Sequence, residues 1–453
     1  MLLFLLTVFA VLPVHRAAAD PFDVSQKVEK TVVSCDVSEN RRLTFADVLA
    51  LALCRNPATK EAYAGAMASA ADWGASRSSY LPTLNLTAGV AQSSAKTEGT
   101  PRADSSSASA RLSFQWLVYD FGGRSSETKS AEEALNAVLY TRSNTLQSLI
   151  FDTAEAYFSL FAAVEEHQNS KAALKSARET LKAAEKRFEL GLAAYSDKLQ
   201  AETGAAQAEL AVTKAEAAEV KARGNLLTLM DLDPGAKLDL ADPVKSVDMT
   251  AVREDFNELM AQALEKRADI AAQKAKIAKL ESNIAYQESR NAPTITFDAS
   301  ANAGREFNGR DRNSYGGSVG LNLNVPLFTG FSYTYKISKA RYDLEESRAV
   351  LKRLENALKN ELWATYQNYI TSQKSYEIAL TMTASAQQSA DVALGAYKAG
   401  KGDILKVLDT QAALADVRST KSRSFYDLLI AKADLIRKAG LIDPFQNEGF
   451  LKP

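Results

Sequence analysis

RLSFQWLVYDFGGR, residues 111–124, decides the fold. Leu112, Phe114, Trp116 and Val118 are apolar, and Ser113 and Gln115 between them are polar. That period-two alternation is the signature of a strand with two unlike faces. The strand runs into Trp116, Tyr119 and Phe121, breaks at Gly122-Gly123, and meets a very long helical pattern at about Ser125.

Working outward, Leu84, Leu86, Ala88 and Val90 alternate with Asn85, Thr87 and Gly89, giving a partner strand. Residues 91–106 are Ser, Thr, Gly and Pro and read as a solvated loop, so 83–120 reads as a hairpin with strands at about 83–91 and 107–120. Upstream, Thr44 is a candidate N-cap for a short helix ending near Asn56-Pro57, and an Ala-rich helix follows to Ser79, stopped by Leu81-Pro82. Downstream, residues 125–190 carry helical apolar spacing almost free of Gly and Pro. Such a helix is about 95 Å long and needs lateral partners to be stable. Gly191 interrupts it, Ser196 is a candidate N-cap, and a second helix covers 197–229.

After an irregular equatorial segment, 231–253, the series returns. Helical pattern runs from Phe256 to Arg290 with a soft break near residues 267–269. Strands follow at about 294–304 and 315–329, joined by a polar loop, 305–314, and then helices at 331–397 and 403–438. Pro82 corresponds to Pro293, Tyr119 to Phe328, Gly191 to Gly400, Leu199 to Leu408 and Asp233-Pro234 to Asp443-Pro444, an offset near 210. The chain therefore divides into a first repeat, 20–230, a second repeat, 254–440, and a tail, 441–453.

Each repeat supplies one hairpin, so a chain has four antiparallel strands. One set of faces is Leu, Ile, Val, Phe, Trp and Ala; the other is Ser, Thr, Asn, Gln and Gly with Asp298. A soluble sheet would cover its apolar face with a helix. The polar faces instead suit the lining of a lumen, and Tyr80, Trp116, Tyr119, Phe121, Phe328, Phe331, Tyr333 and Tyr335 gather where strands meet helices, as in an interfacial girdle. A sheet in hydrocarbon must close on itself, and barrels begin at about eight strands, so two, three or four chains must combine. The hairpin topology sends both long helices to one side of the membrane.

Among 453 residues, 54 Lys and Arg balance 55 Asp and Glu, so no basic excess points to nucleic acid. Residues 1–19, MLLFLLTVFAVLPV then HRAAA, read as a secretory signal peptide with small residues at its cleavage site. Export makes Cys35 and Cys54 oxidisable; a disulfide between them closes a loop of about 20 residues, worth on the order of 3 kcal/mol. His167, inside a long helix, reads as a surface residue. The sequence shows no Ser/His/Asp set, phosphate loop or metal-ligand spacing, so neither an enzyme nor a cofactor is expected.

Two sets of residues then carry a resemblance. After the strands stand Tyr119-Asp120-Phe121-Gly122-Gly123-Arg124 and Val325-Pro326-Leu327-Phe328-Thr329-Gly330. At the helix turns stand Arg187-Phe188-Glu189-Leu190-Gly191…Asp197-Lys198-Leu199-Gln200-Ala201 and Ala396-Tyr397-Lys398-Ala399-Gly400…Val407-Leu408-Asp409-Thr410-Gln411. In this duplicated order the chain resembles the TolC family of outer membrane efflux proteins. The resemblance implies a mixed α/β membrane protein: a homotrimer whose four strands per chain complete a 12-stranded β-barrel in outer membrane lipid of a Gram-negative bacterium, with the long helices forming a periplasmic α-helical barrel. It implies an exit duct working with a periplasmic adaptor protein and an inner membrane ABC exporter or proton-driven efflux transporter, for type I protein secretion or drug efflux. A soluble periplasmic coiled-coil adaptor or scaffold is the alternative.

The same resemblance places the periplasmic gate near the helix turns. The family's gate tyrosine matches Tyr397 and its aspartate partner Asp197. The gate arginine position holds Gly402, so different wiring is expected, through Lys401 or Asp403. An acidic ring that narrows the pore falls on Lys406 and Asp409. Gly191, Gly400, Gly402, Leu199 and Leu408 fall at the turns that would meet the adaptor. Trp116, Tyr119, Phe121, Gly122, Gly123, Pro326, Phe328 and Gly330 fall at the two barrel–tunnel junctions.

Overall fold

The computed structural model describes residues 20–28, 42–96, 98–99, 102–241, 255–307 and 312–442. The signal peptide, Cys35 and Asp443-Pro444 lie outside these residues. Cys54, half-buried on the first helix, is not a free thiol.

The first repeat runs α1 (Phe45–Arg55), α2 (Pro57–Ser78), β1 (Thr83–Ala95), β2 (Ala103–Tyr119), α3 (Gly123–Glu189) and α4 (Tyr195–Leu229). The second runs α5 (Phe256–Lys266), α6 (Ala268–Ser289), β3 (Thr294–Glu306), β4 (Arg312–Asn324), α7 (Ser332–Lys398) and α8 (Ile404–Lys438). Helices of 11, 22, 67 and 35 residues occur in the same order in both.

Local chemistry sets the boundaries. Thr44 and Asp47 form a capping box: Asp47 N–H donates to Thr44 Oγ1 at 3.3 Å and Thr44 N–H to the Asp47 carboxylate at 2.9 Å. Asn56 turns extended before Pro57, which cannot continue the α1 hydrogen bonds but opens α2. In the second repeat Arg267 takes the same extended conformation between α5 and α6. At α4 the N-cap is Ala194, without a side-chain hydrogen bond, rather than Ser196. At α8 the N-cap is Asp403, which accepts from Leu405 N–H at 3.3 Å.

Two compact units emerge, and each repeat contributes to both. In the unit built around residues 65–136 and 275–346, the strands form one antiparallel sheet in the order β1-β2-β3-β4. Its register brings like residues into line. Leu84, Phe114, Ala299 and Val319 make one row, and Leu86, Leu112, Ala301 and Gly317 the next on the same face. The opposite face holds rows such as Asn85, Ser113, Ser300 and Ser318. Leu84, Leu86, Val90, Val319, Leu321 and Leu323 are each more than 60 % exposed in the single chain. Among the described residues no helix lies over this apolar face.

The strands do not end where the sequence reading places them. β1 and β2 run on to Ala95 and back to Ala103, through residues read as loop, and β3 and β4 narrow the 305–314 loop in the same way. These extensions, such as Gln92, Ser94 and Ser106, are polar on both faces, so they carry no alternation, yet the ladder continues through them. β4 stops at Asn324 rather than 329, because Pro326 has no N–H for the ladder.

In the second unit the short helices α1 and α5 seed matching cores. Phe45, Val48, Leu49 and Leu51 pack with Leu146, Leu149, Tyr157 and Phe158 of α3 and Leu226 of α4. Leu259 and Ala263 pack with Leu358, Leu362 and Tyr369 of α7 and Leu435 of α8. His167 is not a surface residue: it is buried, and its Nδ1 lies 2.8 Å from Glu219 Oε2, tying α3 to α4.

Candidate functional site

The helix turns of the second unit are built alike. Gly191 and Gly400 adopt φ of 71° and 77°, the left-handed conformation that glycine enters without strain. Leu192 N–H reaches Arg187 O at 2.7 Å and Lys401 N–H reaches Ala396 O at 2.9 Å, closing α3 and α7 with the same C-terminal motif.

Between the two turns lies a buried contact. Tyr397 is 1 % exposed, packed with Ala184, Ala201, Ile404 and Val407. The Arg187 guanidinium lies 4.5 Å from its ring centroid, and Arg187 Nη1 donates to Tyr397 O at 2.6 Å while Nη2 donates to Leu192 O at 3.3 Å. One arginine at the end of α3 thus holds both the ring and the backbone at the end of α7.

The residues carried over by resemblance distribute differently. Asp197 makes no hydrogen bond to Tyr397, whose buried Oη has no partner among the described residues. Burial raises the phenol's pKa above its ordinary value near 10; the charges of Asp197 and Asp403 act in the same direction and Arg187 opposes them. At Gly402 a Cβ would fall 2.8 Å from Tyr397 N and 3.0 Å from Ala396 C, so the chain passes too close for an arginine to occupy this position. Lys406 and Asp409 are exposed on α8, away from buried Ile404, Val407 and Thr410. Lys401 makes its backbone bond at the turn, and Asp403 serves as the α8 cap.

Sequence reasoning missed Arg187. The available signal was the repeat: Phe188 is the counterpart of Tyr397, which puts the neighbouring arginine beside the second turn. The two turns also differ in surface. Phe188, Leu190, Leu192, Tyr195 and Leu199 are exposed at the first, with Phe188 and Tyr195 rings 5.5 Å apart, whereas the second reads Lys398-Ala-Gly-Lys-Gly-Asp403. Beyond the turns, α4 and α8 approach so closely that a Cβ on Gly204 would lie 3.1 Å from Leu408 Cδ2.

The strand–helix junctions in the first unit form a second constellation. Phe121 and Gly122 in one repeat, and Gly330 and Phe331 in the other, adopt positive φ. A bulky residue in that region is strained, and here it recurs at both junctions. The bend therefore lies at Phe121-Gly122; Gly123 is already helical and packs against Ser289 and Asp120. Tyr119 stacks edge-on with Phe121 and Phe328 with Phe331, and these rings are exposed, while Trp116 Nε1 donates to Tyr80 O at 3.0 Å. Arg124 is buried beneath the first junction. It donates to Leu117 O at 2.7 Å and Val118 O at 3.1 Å, pairs with Asp120 at 3.3 Å and lies 4.9 Å from the Tyr80 ring centroid.

Comparison with known proteins bears on the family and the fold. The model of the family described as "Outer membrane efflux protein" matches residues 48–231 and 259–441, one match per repeat. Protein CyaE of Bordetella pertussis is 24% identical, covering 82% of this chain and 78% of that protein. Outer membrane protein TolC of Vibrio cholerae is 26% identical over 81% of this chain and 84% of its own length. The solved outer-membrane channel OprN superposes with a TM-score of 0.76 at 18% identity, covering 93% of this chain and 96% of that one.

Proposed function

This chain belongs to the outer membrane efflux protein family, and from that premise we propose that Arg187 and Tyr397 latch the periplasmic end of the duct it forms. The protein is an outer membrane exit duct. Four strands per chain complete a trimeric twelve-stranded barrel, and the long helices form a periplasmic helical barrel. Its residues bind no reactant in this reading; cargo is selected and driven by a periplasmic adaptor and an inner membrane ABC exporter or proton-driven transporter. The observation that carries the gate assignment is the burial of Tyr397 between two helix turns under a single guanidinium. Lys406 and Asp409, on the exposed side of α8, are assigned to the tunnel wall, and the exposed apolar turn from Phe188 to Leu199 to the adaptor.

Extraction and reconstitution test the duct. The purified protein should require detergent to leave the outer membrane, change its gel migration on heating, and insert into planar bilayers as a channel of small resting conductance. Release as a soluble, channel-inactive protein would restore the scaffold alternative.

The latch also predicts a pH response. The buried phenol's raised pKa means that the closed arrangement is fully stabilised below the free value near 10 and loses that contribution as pH rises through the higher value in the latch. Conductance should stay low at neutral pH and rise above about pH 10. Tyr397→Phe, which keeps the ring but cannot ionise, should lack this alkaline rise; an identical profile in the variant would detach the response from Tyr397.

A further inference from the structure

The polar face of the sheet carries few charges, and the register shows how each is placed. Glu306 and Arg312 stand directly opposite each other at the far ends of β3 and β4. Asp298 accepts hydrogen bonds from Thr296 Oγ1 at 3.0 Å and Asn322 Nδ2 at 2.7 Å. Arg111 is different. Its row is Thr87, Arg111, Asn302 and Gly316, with no acidic residue, and it is exposed. The rows on either side, Asn85-Ser113-Ser300-Ser318 and Gly89-Ser109-Gly304-Ser314, hold only short neutral side chains. Asp298 lies four residues along β3 from Asn302, about 13 Å away along the strand.

Height matters as much as isolation. On the opposite face, the rows flanking Arg111 are Leu86-Leu112-Ala301-Gly317 and Ala88-Ala110-Ala303-Tyr315, which belong to the apolar belt. Arg111 therefore projects into the lumen where the barrel wall is backed by hydrocarbon. Low-dielectric walls focus the field of a charge into the aqueous path.

We propose that Arg111 and its two symmetry copies form an anion-attracting ring inside the barrel, a transit site for the carboxylate or phosphate groups of exported cargo. The proposal rests on the barrel reading above and adds a selectivity to it. The ring acts within the barrel, so the bias it gives does not depend on the state of the gate.

Reversal potentials across a tenfold KCl gradient, from about 10 to 100 mM, test it, because the screening length at these concentrations is roughly 30 to 10 Å. Arg111→Ser and Arg111→Gln should each lower the chloride-to-potassium permeability ratio by about threefold or more. Arg111→Lys should preserve it, and the difference should vanish near 1 M salt, where screening extends only about 3 Å. Trimers competent on heated and unheated gels would be used for each variant. Channels that form normally but show the wild-type ratio in both neutral variants would overturn the ring while leaving the duct intact. A difference that persists at 1 M salt would also overturn it, by showing an altered pore shape. Failure of the wild-type protein to form channels would instead count against the duct itself.

Discussion

Arg187→Ala should open the resting channel, raising its single-channel conductance severalfold without altering the trimer. The substitution removes a part-buried cation–π contact and a charge-assisted hydrogen bond to Tyr397 O at 2.6 Å. Together these are worth about 2–4 kcal/mol. Three copies act around one aperture, so even the lower figure shifts the closed-to-open balance by more than tenfold. Arg187→Lys should give an intermediate conductance, since an ammonium keeps the charge but cannot stack flat or bond at two points. The adjoining geometry explains why the arginine comes from the first repeat. Gly402 lies against the Tyr397 backbone, leaving no room for a side chain, so the cation must reach Tyr397 from the α3 end. Wild-type conductance in Arg187→Ala would place the closure elsewhere, with exposed Lys406 and Asp409 the next residues to vary.

Arg124→Ala should have the largest effect on assembly. Arg124 is buried, and its removal strands the Leu117 and Val118 carbonyls and leaves the Asp120 carboxylate without its ion pair at the bend from β2 into α3. Breaking a buried pair of this kind costs about 3–5 kcal/mol. The temperature at which trimers dissociate in mild detergent should fall by on the order of 10 °C. The second junction offers no compensation, because the counterpart of Arg124 is Tyr333 and, among the described residues, the bend at Gly330-Phe331 is made without a buried guanidinium. A trimer of unchanged heat stability would show that the clamp is dispensable.

Much of the fold was legible because its elements announce themselves by period. Alternation marked the lipid-facing belt of all four strands, and the helical pattern between Ser125 and Leu190 matched a 67-residue helix to within two residues at each end. The strand ends were not legible, since Gln92, Ser94 and Ser106 lie beyond the apolar belt and need no alternation. Nor was the buried state of His167, whose neighbours Glu165, Glu166 and Gln168 suggest a solvated face; its partner, Glu219, stands 52 residues away on the next helix. The Arg187–Tyr397 contact was not legible: resemblance singled out Tyr397 and the glycine at 402, but a contact between chain segments 210 residues apart depends on how two helix ends meet. Local sequence does not encode that, and the expected wiring through Lys401 or Asp403 missed it.

Four strands per chain close into a barrel only with two further copies of the chain. Native mass measurement of the detergent-extracted protein tests this most directly. A single assembly of three mature chains, giving twelve strands, is expected. A dimer or tetramer, which would supply eight or sixteen strands, or a stable monomer would contradict it.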